Sequence, residues 1–184
     1  LYVSTDGSAF SSFQVSFGAA TYDFSGALGA KGVNMLDYST WTAGGTSAIG
    51  FTPNGETDEN LLFEGEGPYG ENIILWKSLP NGNGHNGDGG WLTGHYDVDH
   101  TKLYRFSVWV KRTTDQAGGQ FYLGLYANSG SPVLRSDNGN SAVNPYFDCR
   151  LISAFTKDVW HLVVGHVYPS GTSVPQARHA NTGV

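Results

Sequence analysis

The sequence predicts an all-β domain of the jelly-roll or β-sandwich kind, built from two antiparallel sheets packed face to face. Composition is the first ground. Of 184 residues, 26 are Gly, only 14% are charged, and the apolar content is rich in rings, with five Trp, ten Tyr and ten Phe. Glycine at about twice average usage, with few helix formers, suits strands joined by tight turns. The second ground is alternation, because several segments repeat apolar and polar residues with a period of two. The third is that no stretch of about ten residues or more carries a helical period. The length fits one such domain.

Taken in order, residues 1–30 are rich in Ser, Gly, Ala and Phe and read as a connector or peripheral strand, with a strand at 13–17. Residues 31–184 are assigned to the sandwich domain. Within it, 32–55 reads as short strands and loops anchored by Trp41. Strands are then expected at 60–64, 71–78, 94–98, 103–112, 120–126 and 160–168. Turn chemistry separates them at 65–68, 80–90, 115–119 and 129–132, where Gly, Pro, Asn, Asp and Ser concentrate. No internal repeat is evident.

In Leu103-Tyr-Arg-Phe-Ser-Val-Trp-Val-Lys-Arg112 successive side chains point to opposite faces. Tyr104, Phe106, Val108 and Val110 form the apolar, core-facing set. Arg105, Ser107, Trp109 and Lys111 form the other, where a Trp between two cations is unlike a core residue. In 120–126, Phe121, Leu123 and Leu125 point one way, and Gln120, Tyr122, Gly124 and Tyr126 the other. If these two strands were hairpin neighbours across 113–118, one surface would carry Trp109, Tyr122 and Tyr126 among Arg105, Lys111 and Gln120. Aromatic rings suit the C–H faces of sugars, and planar donors and acceptors suit their hydroxyls. Such a surface points to a polysaccharide or oligosaccharide ligand. The residues leave the other reading open, in which the face is buried under the N-terminal segment or against a neighbouring subunit.

The loop Asn81-Gly-Asn-Gly-His-Asn-Gly-Asp-Gly-Gly-Trp91 combines glycines with oxygen donors. Asp88, and the pair Asp97 and Asp99, are therefore candidate ligands of a structural Ca²⁺, a hard cation that takes oxygen. Strand alternation would put Asp97 and Asp99 on one side. A solvated loop and a solvated edge remain the plain alternatives. Trp91 either anchors the loop in the core or offers its ring to a ligand.

Other classes fit poorly. Ten dispersed Lys and Arg against a net charge of −6 argue against nucleic acid as partner. No apolar run reaches the roughly 20 residues of a membrane-spanning helix. The lone Cys149 admits no internal disulfide and reads as a buried thiol. No signal-peptide pattern opens the sequence, and the chain reads as part of something longer or as a processed product. Catalysis is not expected. In Glu56-Thr-Asp-Glu59 only Glu56 and Asp58 alternate, whereas a two-carboxylate glycosidase strand needs its acids on one face. Asn54, Gly55 and Asn60 around them suggest a turn. His161 and His166 stand five apart in a strand and so face opposite ways. No nucleophile elbow is present.

The segment Lys102-Leu-Tyr-Arg-Phe-Ser-Val-Trp-Val-Lys111 resembles the K-x-Y-x-F-S-x-W-V-K strand of jelly-roll carbohydrate-binding modules. Gly90-Trp91 with Tyr96-Asp-Val-Asp99 resembles the inbound strand of those modules. Gly119-Gln-Phe-Tyr-Leu-Gly-Leu-Tyr126 and Val159-Trp-His-Leu-Val-Val-Gly-His-Val167 resemble later strands, and Asn34-Met-Leu with Trp41 and Gly45 the opening. The same pattern resembles domains of marine-phage structural and tail-fibre proteins. The resemblance covers about residues 32–168. It implies a non-catalytic module of a larger extracellular, secreted or virion-surface protein, binding glycan or packing in a self-assembled structure.

Overall fold

A computed structural model describes residues 14–17, 20–23, 34–79, 89–115, 118–127, 133–135 and 139–170. The chain forms two compact units, Leu1–Ser39 and Thr40–Val184. In the first, β1 (Gln14–Phe17) pairs antiparallel with β2 (Ala20–Asp23).

Among its described residues the second unit is all-β, with only three-residue 3₁₀ turns between strands. Strand β3 (Phe51–Pro53) pairs with β6 (Trp91–Thr93), and β4 (Asn60–Glu66) with β5 (Asn72–Ser78). Strand β7 (Tyr104–Lys111) pairs with β12 (Trp160–Val167), and β8 (Gln120–Gly124) with β11 (Tyr146–Leu151). Short β9 (Val133–Leu134) and β10 (Ser141–Ala142) complete the set. Among the described residues every strand pairing is antiparallel and every ladder has two strands, with one isolated parallel bridge between Arg112 and Lys157.

Two ladders pack face to face and supply the sandwich character. The β7–β12 ladder presents Phe106, Val108 and Val110 opposite Gly165, Val163 and His161. The β8–β11 ladder meets this face through Phe147, whose ring lies 4.9 Å from that of Phe106. Gly165 makes the approach possible: a Cβ there would lie 2.5 Å from the Phe147 Cβ and inside its ring. Phe155 extends the interface, with its ring 5.4 Å from Phe121 and 5.3 Å from His161. Phe147, Phe155 and Val163 are buried accordingly.

A second core surrounds the β4–β5 hairpin. Trp41, Phe51, Trp76 and Trp91 cluster with centroid separations of 5.2–6.5 Å, edge to face except for the tilted Phe51–Trp76 pair. Asn60, almost fully buried, ties the surrounding backbone together. Its Oδ1 accepts from Trp76 Nε1 (2.8 Å) and Gly90 N (3.0 Å), and its Nδ2 donates to the carbonyls of Asn54 and Glu56, both at 2.9 Å. Each polar group of a buried amide thus has a partner, as burial requires.

The strands expected at 60–64, 71–78, 103–112, 120–126 and 160–168 are present as β4, β5, β7, β8 and β12, with shifted ends. Residues 94–98 are not a strand. Pairing stops at Thr93 because its partner strand begins at Phe51, directly after a turn at Gly50 (φ 83°). Residues 94–100 therefore join no ladder among the described residues and lie exposed. Strand β11 was not anticipated. Its register shifts between Tyr146 and Asp148, so Phe147 and Asp148 are both buried and the period of two is broken.

Candidate functional site

In an antiparallel ladder, directly opposed residues share a face. Strand β7 turns Arg105, Ser107, Trp109 and Lys111 outward, and β12 sets His166, Val164, Leu162 and Trp160 opposite them. The inner faces of the two ladders are consumed by the Phe106–Phe147 contact, so this outer face looks away from the core. The sequence pattern had assigned the faces of β7 in this way, and the burial of Val163 and Gly165 opposite Val108 and Phe106 agrees with it.

The outer face is open over Arg105, Ser107, Leu162 and Val164 and partly covered at Trp109, Lys111, Trp160 and His166. Leu162 is 42% exposed and Val164 37%, while Trp109 is half-buried. The reason Trp109 is not fully open is Tyr69, at the tip of the β4–β5 hairpin, whose ring stands edge-on to the indole at 5.6 Å. That tip is shaped by Gly67 N donating to Glu71 O (2.8 Å) and by Tyr69 N donating to the Glu71 carboxylate (2.9 Å). At one end of the face the Lys111 ammonium lies 4.6 Å from the centre of the Trp160 ring. At the other, Arg105 is exposed directly across from His166.

Strands β7 and β8 are not hairpin neighbours: β7 pairs with β12, and β8 with β11. The single platform of Trp109, Tyr122 and Tyr126 therefore does not form. Gln120 and Tyr122 belong to the outer face of the β8–β11 ladder, with Leu151 and Cys149 across from them. Because the two ladders share their inner faces, that surface points away from the Trp109 surface. Tyr122 is 48% exposed, donates its hydroxyl to Gln120 Oε1, and packs against Tyr146 at 5.1 Å. Partial burial and then the neighbouring Cys149 raise its phenol above the ordinary value. Cys149 itself is only half-buried, not the fully buried thiol expected. Tyr126 lies past the end of β8, exposed beside His95 at 5.8 Å. Trp91 takes the anchoring role, inside the aromatic cluster with Trp41 and Phe51.

The metal candidates separate as well. Asp88 lies outside the described residues. Asp97 and Asp99 are off any strand, so alternation does not place them together. The Asp99 carboxylate accepts from Thr101 Oγ1 (2.6 Å) and Thr101 N (2.9 Å) and pairs with Lys102 at 3.4 Å. Those bonds, led by the Thr101 hydroxyl, hold its pKa at about 2. The described residues contain no group of three or more His, Cys, Asp or Glu placed to share a metal. Glu56 to Glu59 form a 3₁₀ turn with a capping box, not a strand, so Glu56 and Asp58 do not line one sheet face.

Tyr69, Trp160, Leu162 and Val164 are the neighbours of Trp109 that sequence reasoning missed, and His166 is the one it missed beside Arg105. The alternation of 160–168 was legible, but its pairing partner was not. Compared with known proteins, the chain matches no family model, no curated protein and no solved structure. Among the described residues no helix is long and apolar enough to cross a membrane.

Proposed function

We propose that the domain is a non-catalytic glycan-binding module of a larger extracellular protein, and that it binds on the outer face of the β7–β12 ladder. The observation that carries this reading is Trp109: a half-open indole on an outward sheet face, flanked along its own strand by Ser107, Arg105 and Lys111. The indole and Tyr69 offer apolar contact to sugar C–H groups, while the flanking side chains donate to hydroxyls. The strand motif around Trp109, which resembles that of carbohydrate-binding modules, supports the same reading. A shallow face buries little area and must order a flexible ligand, so affinity is expected in the range of roughly 10–1000 μM, about −4 to −7 kcal/mol.

The test is affinity electrophoresis or a glycan array with the wild type and the variants Trp109→Ala, Tyr69→Ala and Tyr122→Ala, each checked by thermal melting. Trp109→Ala should abolish binding, Tyr69→Ala weaken it, and Tyr122→Ala leave it unchanged because that ring faces the other way. Binding that survives Trp109→Ala would move the site off this face.

A second reading draws on Leu162 and Val164, aliphatic side chains left exposed on the same face. Sugars gain little from them, whereas a packed subunit would bury them. In this reading the domain is a virion, tail-fibre or filament component whose face is covered in the assembly. A stable oligomer at micromolar concentration, dissolved by Leu162→Lys, favours it; a monomer favours glycan binding.

A further inference from the structure

The outer face of β7–β12 is lopsided in charge, in a chain that is not. The whole sequence has 16 acids against 10 Lys and Arg. Yet the eight residues that the ladder turns outward include Arg105, Lys111 and His166 and no acid. Of the acids nearest in sequence, Asp99 is engaged with Thr101 and Lys102 and Asp115 with Lys157 at 2.8 Å, while Asp158 stands next to Lys157 and outside the ladder, two residues before Trp160. Among the described residues Arg105 has no hydrogen-bond or ion-pair partner, and its side chain is exposed. Lys111 touches the Trp160 ring but no carboxylate.

From this arrangement we infer that the face is selective for a carboxylated saccharide, with Trp109 stacking on a sugar ring and Arg105 taking a carboxylate further along the glycan. The inference rests on the glycan-binding reading above and adds the class of glycan. Residues on one face of a strand repeat every 6.6–6.8 Å or so, which sets Arg105 about 13 Å from Trp109 with Ser107 between them. A glycan stacked at Trp109 and running along β7 therefore brings its next units over Ser107 and Arg105. A guanidinium is the side chain best matched to a carboxylate, because its planar fork offers two parallel donors. The hairpin tip opposes dense charge: Glu66 and Glu71 flank the turn that carries Tyr69. A heavily sulfated chain would bring the most negative charge past those acids, whereas a carboxylated chain brings at most one charge per sugar.

Three carboxylated polysaccharides serve as probes: galacturonan, alginate and hyaluronan. Each is compared with its carboxyl-reduced form, in which the carboxylate becomes a hydroxymethyl group. Neutral β-glucan, xylan and mannan complete the panel. The wild type should bind at least one acidic chain about tenfold more tightly than its reduced form, the size expected of one charge-assisted hydrogen-bonded contact. Arg105→Gln should bring the acidic chain to the level of the reduced one, Arg105→Lys should restore part of the difference, and neither should move the melting temperature. Wild-type binding that is equal for every acidic and reduced pair would overturn the inference and leave the glycan reading standing. Selectivity retained in Arg105→Gln would overturn the role of Arg105. Binding to no member of the panel would remove both readings together.

Discussion

At Gly165 the fold depends on the absence of a single carbon. The residue lies on β12 facing inward, and the Phe147 ring occupies the space a Cβ would need. Gly165→Ala forces the two ladders apart or bends Phe147 from its rotamer, an overpacking cost of about 1–3 kcal/mol or more. In a Phe147→Gly background the same change should cost far less, because both the ring and the Cβ it would strike are gone. A double-mutant cycle by urea unfolding measures the coupling. Additive effects would show that Phe147 does not sit over Gly165. The two aromatic positions on β7 should diverge in the same assay. Phe106→Ala, which strips the contact with Phe147, is expected to cost about 3–5 kcal/mol. Trp109→Ala should cost less than about half of that, since the ring it packs on, Tyr69, is itself exposed, whereas Phe106 packs on buried Phe147. Equal losses would mean that the Trp109 face is covered.

Among the elements, the β4–β5 hairpin is organised by a residue that looks unremarkable in sequence. Asn60 serves the indole of Trp76, the amide of Gly90 and two carbonyls of the 54–56 turn at once. Asn60→Ala leaves those groups buried without partners, at a cost of about 1–3 kcal/mol for each one that water cannot reach. The loss should exceed that of any single surface Asn, and Asn60→Asp should not restore it, because a carboxylate cannot donate to the Asn54 and Glu56 carbonyls. Chemical denaturation of the variants checks this. The turn before β7 carries a pH signature. Asp99 is held at about 2 against an ordinary 3.8, so the stability it contributes is present above the ordinary value and lost as pH falls through about 2. Asp99→Asn should lower stability in the neutral region, where the carboxylate contributes, and flatten the acid limb of a stability–pH curve between those values.

For the whole molecule, composition set the class and topology set the surface. Rings and glycines in place of charges and alanines already implied strands, and an all-β antiparallel structure is what forms. Two ladders stacked through Phe106, Phe147 and Gly165 leave two outward faces that point in opposite directions. One bears Trp109 between cations, and the other bears Tyr122 and Leu151 with no Trp. Raising ionic strength should therefore weaken binding of an acidic glycan at the first face, through screening of Arg105 and Lys111 over a Debye length of about 10 Å at 0.1 M salt. Binding of a neutral glycan by stacking at Trp109 should change little. Titrations in low and high salt with one acidic and one neutral glycan separate the two contributions.

What the sequence by itself determined is local. Period-two alternation settled that 104–111 is a strand and which of its faces is core, because the side-chain direction follows from the backbone alone. Turn residues marked most strand ends for the same reason. The partners of each strand were decided only in three dimensions. Nothing in the alternation of 103–112 distinguishes a neighbour 10 residues on from one 50 residues on; hydrophobic burial decided for β12, and so exchanged Tyr122 for Leu162 and Trp160 beside Trp109. Strand β11 stayed hidden because its bulge puts Phe147 and Asp148 on one side, which breaks the signal that alternation provides. Tyr69 reaches Trp109 from a turn some 40 positions earlier, a contact that no periodicity encodes. The chemistry of each residue could be read from its identity, but the company it keeps on a surface is a property of packing.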